Sequence, residues 1–203
     1  MIVRERATER VDTASVPDVT PPADRDAAVG WFTAGVRMLL DAVVATGVAV
    51  PVWTFTGPQP AEWWIRRRLH ECVVHRADAA LAVGAPFVVE PELAADGVAE
   101  WLSLVAARPA TDEPALPADT TLHLHATDDG LGADGEWMIR AGWSAAAGRV
   151  IWEHGHGKGT VAVRGRAADL LLALLRRLPA DDARLQVLGD EGVWRTWLER
   201  TPF

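Results

Sequence analysis

The chain has 203 residues, is 49% hydrophobic and carries a formal net charge of −8. That apolar fraction excludes a disordered polypeptide and suffices for one large or two small packed domains. The acidic balance, with no basic stripe, argues against nucleic acid and anionic membrane surfaces as partners and leaves small molecules and proteins.

Residues 1–6 are charged from Arg4 onward and lack the apolar core of a secretory leader. No uninterrupted run approaches the 18 or so apolar residues of a membrane span. Cys72 is the only cysteine, so no internal disulfide forms and a reducing cytoplasm is the expected setting.

Residues 3–9 read as the frayed end of a helix, and Pro17, Pro21 and Pro22 stop it because proline lacks an amide donor. Over residues 24–46 the apolar positions Phe32, Val36, Leu39 and Val43 recur at four and three, with Asp24 or Asp26 placed to cap the start. A connector through Pro51, Gly57, Pro58 and Pro60 leads to a second helix over about 61–83, closed by Gly84. A third runs from Pro91 to Ala107. The proline-rich stretch 108–117 then separates unlike patterns and predicts a domain boundary.

Beyond it the period changes. Thr121-Leu122-His123-Leu124-His125-Ala126-Thr127 alternates as a half-buried strand does, and Asp128-Asp129-Gly130 supplies turn chemistry. Further strands are predicted at 136–141, 149–152, 160–163 and 184–188, with a leucine-dense helix over 167–178 and a closing helix over 193–200. The fold class expected is α+β in two domains.

The stretch richest in chemistry lies on the second helix. At about 100° per residue, Glu71, His75 and Asp78 fall within roughly 60° of one another on one face. An E-x-x-x-H pair supplies two metal ligands, whereas a catalytic zinc takes three and keeps an open position. The alternative is a solvated helix face on which His75 bonds a nearby carboxylate. Asp78 is placed to accept the second ring proton of His75 and fix its tautomer, or else to pair with Arg76 or an upstream arginine. His70 is a candidate substitute ligand, although it is turned about 100° from Glu71.

Trp64 with Arg66, Arg67 and Arg68 precedes His70-Glu71-Cys72-Val73-Val74-His75-Arg76-Ala77-Asp78, and Glu92-Leu93-Ala94-Ala95-Asp96-Gly97 follows. The second half carries Leu122-His123-Leu124-His125-Ala126-Thr127-Asp128, Glu136-Trp137 and Val161-Ala162-Val163-Arg164-Gly165, then Ala168-Asp169-Leu170-Leu171-Leu172. In these residues the chain resembles the maleylpyruvate isomerase family of mycothiol-dependent enzymes. The resemblance implies a DinB-like helical bundle over residues 1–108 and a small sterol-carrier-like α+β domain over 119–203. It implies zinc or another divalent metal, held by a histidine of an early helix and by the positions matched here by Glu71 and His75. It also implies mycothiol as the thiol and a small electrophile as substrate. In the family's isomerases the thiolate adds to a cis double bond, the single bond rotates, and elimination returns the trans isomer. The function expected is therefore a metal- and mycothiol-dependent isomerase or thiol transferase acting on a maleylpyruvate-like substrate.

The departure from the pattern is at the start. No histidine precedes His70, so the early-helix ligand has no counterpart and the bundle is only partial, with residues 2–7 resembling the tail of its second helix. Burying one large apolar side chain is worth roughly 1.5–3 kcal/mol against a typical total of about 5–15 kcal/mol, so losing two helices would undermine the bundle. The expectation is a start upstream of Met1. The competing reading is a shortened, non-catalytic small-ligand or protein-binding module that has lost its metal, which as a complete chain would associate as a homodimer.

Other candidates have plainer readings. Cys72, mid-helix beside Val73 and Val74, is expected to be buried and inert. Arg66, Arg67 and Arg68 cover the helix circumference, so at most one can face an anionic substrate. His123 with His125 and His154 with His156 form two H-x-H pairs that adjacent strands could join into a four-histidine metal site. Against that, Gly155, Gly157 and Gly159 make the second pair look like a flexible loop. Gly155-His156-Gly157-Lys158-Gly159-Thr160 matches no phosphate-binding motif. The tryptophans are read as core, with Trp63 or Trp64 able to line a pocket. An arginine of the second half, among Arg164, Arg166, Arg176 and Arg177, is expected to clamp a carboxylate.

Overall fold

Asp24 opens helix α1, Arg25–Thr46, by accepting a hydrogen bond from the Ala27 amide at 2.8 Å, and Gly47 ends it at φ +99° with its amide on the Val43 carbonyl. Gly47 suits this position because a side chain is strained at that φ. The computed structural model describes residues 1–12, 20–110, 113–142 and 149–203. These form two compact units, Met1–Cys72 and Val73–Phe203. Most of the proline stop at 16–22 and part of the stretch 108–117 lie outside the described residues.

The first unit holds a helical turn at the start of the chain, α1, a short hairpin and the first half of helix α2, Trp63–Ala82. The expected helix end at residues 3–9 is a single turn, Glu5 bonding back to Met1, broken where Arg6 takes φ +50°. Strands β1, Pro51–Val52, and β2, Gln59–Pro60, pair antiparallel. The core is small: Val3, Val43, Val52 and Ala61 are buried, with Ile2, Leu39, Trp64 and Ile65 packed against them. The Thr46 hydroxyl donates to the Val3 carbonyl at 3.0 Å, and the Trp64 indole donates to the Trp53 carbonyl at 3.1 Å. Only the lower end of the predicted α1 stripe is buried; Phe32 is 54% and Val36 44% exposed. By length and composition α1 is apolar enough to cross a membrane, although Arg37 and Asp41 interrupt its apolar run.

Helix α2 ends before Gly84, at φ +66°. In the second unit follow α3, Pro91–Ala106; β3, Thr121–Ala126; a 3-10 turn at Gly132–Gly135; β4, Glu136–Ala141; β5, Val150–His154; β6, Val161–Gly165; α4, Ala167–Leu174; β7, Gln186–Gly189; and α5, Glu191–Arg200. The strands order as β5-β4-β3-β6-β7, with β3 and β6 parallel and the other neighbours antiparallel. Alternation divides the sheet into two faces. Leu122, Leu124, Trp137, Ile139, Val161 and Val163 join one core with Leu102 of α3, Leu170 and Leu174 of α4, and Trp194 and Trp197 of α5. His123, His125, Glu136, Met138 and Arg164 alternate with these residues and therefore belong to the other face.

Sequence patterning places a domain boundary in the proline-rich stretch, whereas the compact units divide inside α2. The physical reason is α3, whose Val98, Trp101, Leu102 and Val105 are buried in the second unit's core. Helix α4 stops at Leu174, short of the expected 178. Arg176 adopts φ +62°, and the amides of Arg176 and Arg177 close onto the carbonyls of Ala173 and Leu172 at 3.0 and 2.7 Å, a Schellman cap formed without glycine. The Arg176 side chain stabilises it by donating to the carbonyls of Leu198 and Glu199 at 2.8 and 2.7 Å. Asp128 caps the other end of α4 by accepting from the Ala167 amide at 2.6 Å.

Candidate functional site

Helix α2 carries Glu71, His75 and Asp78 on one continuous helix. His75, 62% exposed at its side chain, donates from Nδ1 to Asp78 Oδ2 at 3.1 Å. Asp78 in turn accepts from Arg177 Nε at 2.8 Å and Nη2 at 3.0 Å, and the Arg177 guanidinium lies 4.6 Å from the Phe203 ring centroid. The hydrogen bonds from Arg177 hold the Asp78 carboxyl below its usual range, against burial and with help from His75. With Nδ1 bonded to Asp78, Nε2 is the ring nitrogen through which His75 would ligate a metal. Glu71 forms an ion pair with Arg67, one turn earlier and itself buried. His70 is buried at 2% exposure, about 140° around the helix from His75.

Cys72 is exposed, which corrects the expectation of a buried, inert thiol; the apolar contacts of this turn go to Val73 and Val74 instead. Trp63 and Trp64 meet edge-on at 5.0 Å and pack with Trp53 and Phe55 as an aromatic cluster. Of the second-half arginines, Arg176 and Arg177 hold the Schellman cap and Asp78. Arg164 instead has a buried Nε with no hydrogen-bond partner among the described residues.

A second constellation lies on the sheet face opposite the helices. His123 and His125 share that face of β3, and register sets His125 opposite Glu136 of β4. His123 donates from Nε2 to Glu136 Oε2 at 2.8 Å, and His156 donates from Nδ1 to the same oxygen at 2.6 Å. His125 Nδ1 faces that oxygen from 3.8 Å. Burial pushes the Glu136 carboxyl up, but hydrogen bonds from His156 and His123 prevail and lower its pKa overall. Burial pushes the His125 pKa down, assisted by the Arg164 charge and opposed by Glu136.

The four-histidine site weighed from the sequence is thus corrected to three histidines and a glutamate. Strand β5 extends through His154, opposite Trp137, and the His154 ring packs with Trp137 and Trp152. Two residues on, the glycine loop turns back over the sheet. The Gly155 amide donates to the Glu136 carbonyl at 3.2 Å, Gly157 rests on Met138, and a Cβ at Gly159 would come within 3.2 Å of the His123 Cβ. Glycine permits that close approach. The signal for Glu136 was its place at the start of the strand paired with β3, visible only once the register is known.

Two family models match this chain. Residues 2–80 match the mycothiol maleylpyruvate isomerase N-terminal domain, and residues 92–196 match the MDMPI C-terminal domain. The chain belongs to the mycothiol maleylpyruvate isomerase family. The family's order of a helical N-terminal region followed by a sheet-containing C-terminal one is the order found here. No curated protein matches the chain. Glu71, His75 and Asp78 fall inside the N-terminal family match, and the histidine cluster falls inside the C-terminal one.

Proposed function

We propose that the protein is a metal- and mycothiol-dependent isomerase or thiol transferase acting on a small, maleylpyruvate-like electrophile, with Glu71 and His75 as metal ligands. The observation that carries this reading is the Arg177–Asp78–His75 relay, whose Asp78 and His75 lie inside the matched N-terminal region and which fixes the orientation of the imidazole. An oriented imidazole with a carboxylate one turn away has the donor chemistry that zinc accepts. A divalent ion there would supply acidity to a bound thiol, lowering its pKa from about 8.5. The chain's own contribution is positional. Asp78 holds the Nδ1 proton of His75, Arg177 keeps Asp78 ionised, and Arg67 neutralises Glu71 until a stronger cation takes its place.

The test is turnover of maleylpyruvate with mycothiol by the zinc-loaded chain. Thiol-dependent isomerisation that is lost in H75A and reduced in D78A supports the proposal. No turnover above that of the free thiol contradicts it. The Arg67–Glu71 ion pair favours a second reading, a non-catalytic ligand- or protein-binding module in which Glu71 serves structure; the same number of zinc ions bound per chain in E71A as in the parent would select it. We place the protein in the cytoplasm, with a small-molecule substrate and a low-molecular-weight thiol as partners. The exposed Trp31, Phe32, Met38 and Val44 of α1 support association with a second copy, which a native mass would report.

A further inference from the structure

The sheet cluster lies within the second unit and shares no residue with the α2 constellation. We propose that His123, His125, Glu136 and His156 form a separate divalent transition-metal site.

One ligand atom from each of the four residues lies within 4.8 Å of the others. They come from β3, the start of β4 and the glycine loop, so beyond the His123–His125 pair no local sequence spacing brings them together. Hydrogen bonding accounts for part of the arrangement. Glu136 Oε2 accepts from His123 and His156 at 2.8 and 2.6 Å. It does not account for His125, whose Nδ1 points at the same oxygen from 3.8 Å, beyond hydrogen-bond range. Zn–N and Zn–O bonds of about 2.0–2.2 Å in a tetrahedron set neighbouring ligand atoms roughly 3.3 Å apart. The observed separations of 2.6, 2.8 and 3.8 Å fall on both sides of that value. Small ring rotations would equalise them around an ion.

The surroundings are built to hold this geometry. His123 is 4% exposed and fixed by the β3–β4 and β3–β6 ladders. The loop bearing His156 is seated by the Gly155 amide at one end and by the close approach of Gly159 to His123 at the other. His156 itself is 74% exposed at its side chain, which gives an ion a route from solvent. Three neutral imidazoles and one carboxylate carry one negative charge, and this donor set suits zinc, nickel, copper or iron rather than magnesium or calcium. Arg164, opposite His125 in the β3–β6 register, is the cation that opposes binding.

The experiment titrates Co2+ into the untagged, metal-stripped full chain carrying E71A and H75A, reading the visible d–d absorption and the heat of binding. One ion per chain is expected, with affinity reduced at least tenfold by adding H156A or H125A. In the chain without the α2 substitutions, H156A lowers the number of bound ions by one, which keeps the test open if E71A and H75A impair folding. Unchanged far-ultraviolet circular dichroism verifies the fold of each variant. Absence of Co2+ binding in both backgrounds, or binding indifferent to both H125A and H156A, overturns the proposal. Failure here leaves thiol-dependent turnover untouched, since that is read from H75A.

Discussion

On α2, His75 and Asp78 meet because three residues of helix bring them to one face; on the sheet, His125 meets Glu136 because two strands pair in a particular register. The first juxtaposition is local and survives small changes elsewhere in the fold. The second depends on the whole β3–β4–β6 ladder and on a glycine loop closing over it. The two halves of α2 differ in support. The second half, with His75 and Asp78, places Val73, Val74 and Ala77 in the core that also backs the sheet face, running from Leu122 and Trp137 to Trp194 and Trp197, whereas the first half packs Trp64 and Ile65 on the small core of Val3, Val43, Val52 and Ala61. Damage to that core should therefore reach both the sheet cluster and the His75–Asp78 pair, and the pair should in addition be sensitive to its polar relay with Arg177.

The largest effect expected is on turnover. H75A should lower thiol-dependent turnover by about 100-fold or more, since metal-assisted stabilisation is worth several kcal/mol. Steady-state kinetics on zinc-loaded protein would check it, and an H75A rate within a few-fold of the parent would remove α2 from the chemistry. Next, Trp137→Ala should destabilise the second unit by about 3–5 kcal/mol by opening a cavity under the cluster. Urea unfolding measures this, and a cost below about 1 kcal/mol would show that the sheet is not the support described.

Smaller again is D78A, expected to cost about 1 kcal/mol because its two bonds to Arg177 are partly exposed. Its diagnostic sign is a change in the His75 ring resonances, which a merely structural loss would leave alone. At the low end, Val36→Ala on exposed α1 should stay within about 0.5 kcal/mol. A larger loss would mean that the α1 face is covered in solution.

Acid should separate the regions as well. His125 has a folded pKa below its ordinary value of 6.5, so its stabilising contribution is present above about 6.5 and is lost as pH falls through the folded value. Asp78 and Glu136 are depressed carboxylates, whose contributions are present above about 4–4.5 and are lost as pH falls through their folded values. Metal-free protein should therefore lose Tm in two steps, the first shrinking in H125Q and the second in D78A. A Tm flat from pH 7 to 4.5 would contradict the first assignment.

How much of this was legible follows from the same contrast. Helical spacing located α1, α2 and α3 within a few residues, and strict alternation located β3. The Glu71, His75 and Asp78 pattern could be written down before any coordinates. The membership of α3 in the sheet unit could not, because its apolar face declares burial without naming the partner. Glu136 was missed for a related reason: a lone carboxylate at a strand start acquires meaning only through the His125 opposite it. The glycines at 155, 157 and 159 suggested a loose loop, whereas two of them serve close approach to Met138 and His123.

The central claim is that two independent regions of one chain each gather metal ligands, and native mass spectrometry of the zinc-loaded protein tests it most directly. The account predicts two ions per chain, one removed by H75A and the other by H156A. A count unaffected by either substitution, or a single ion lost with both, would contradict it.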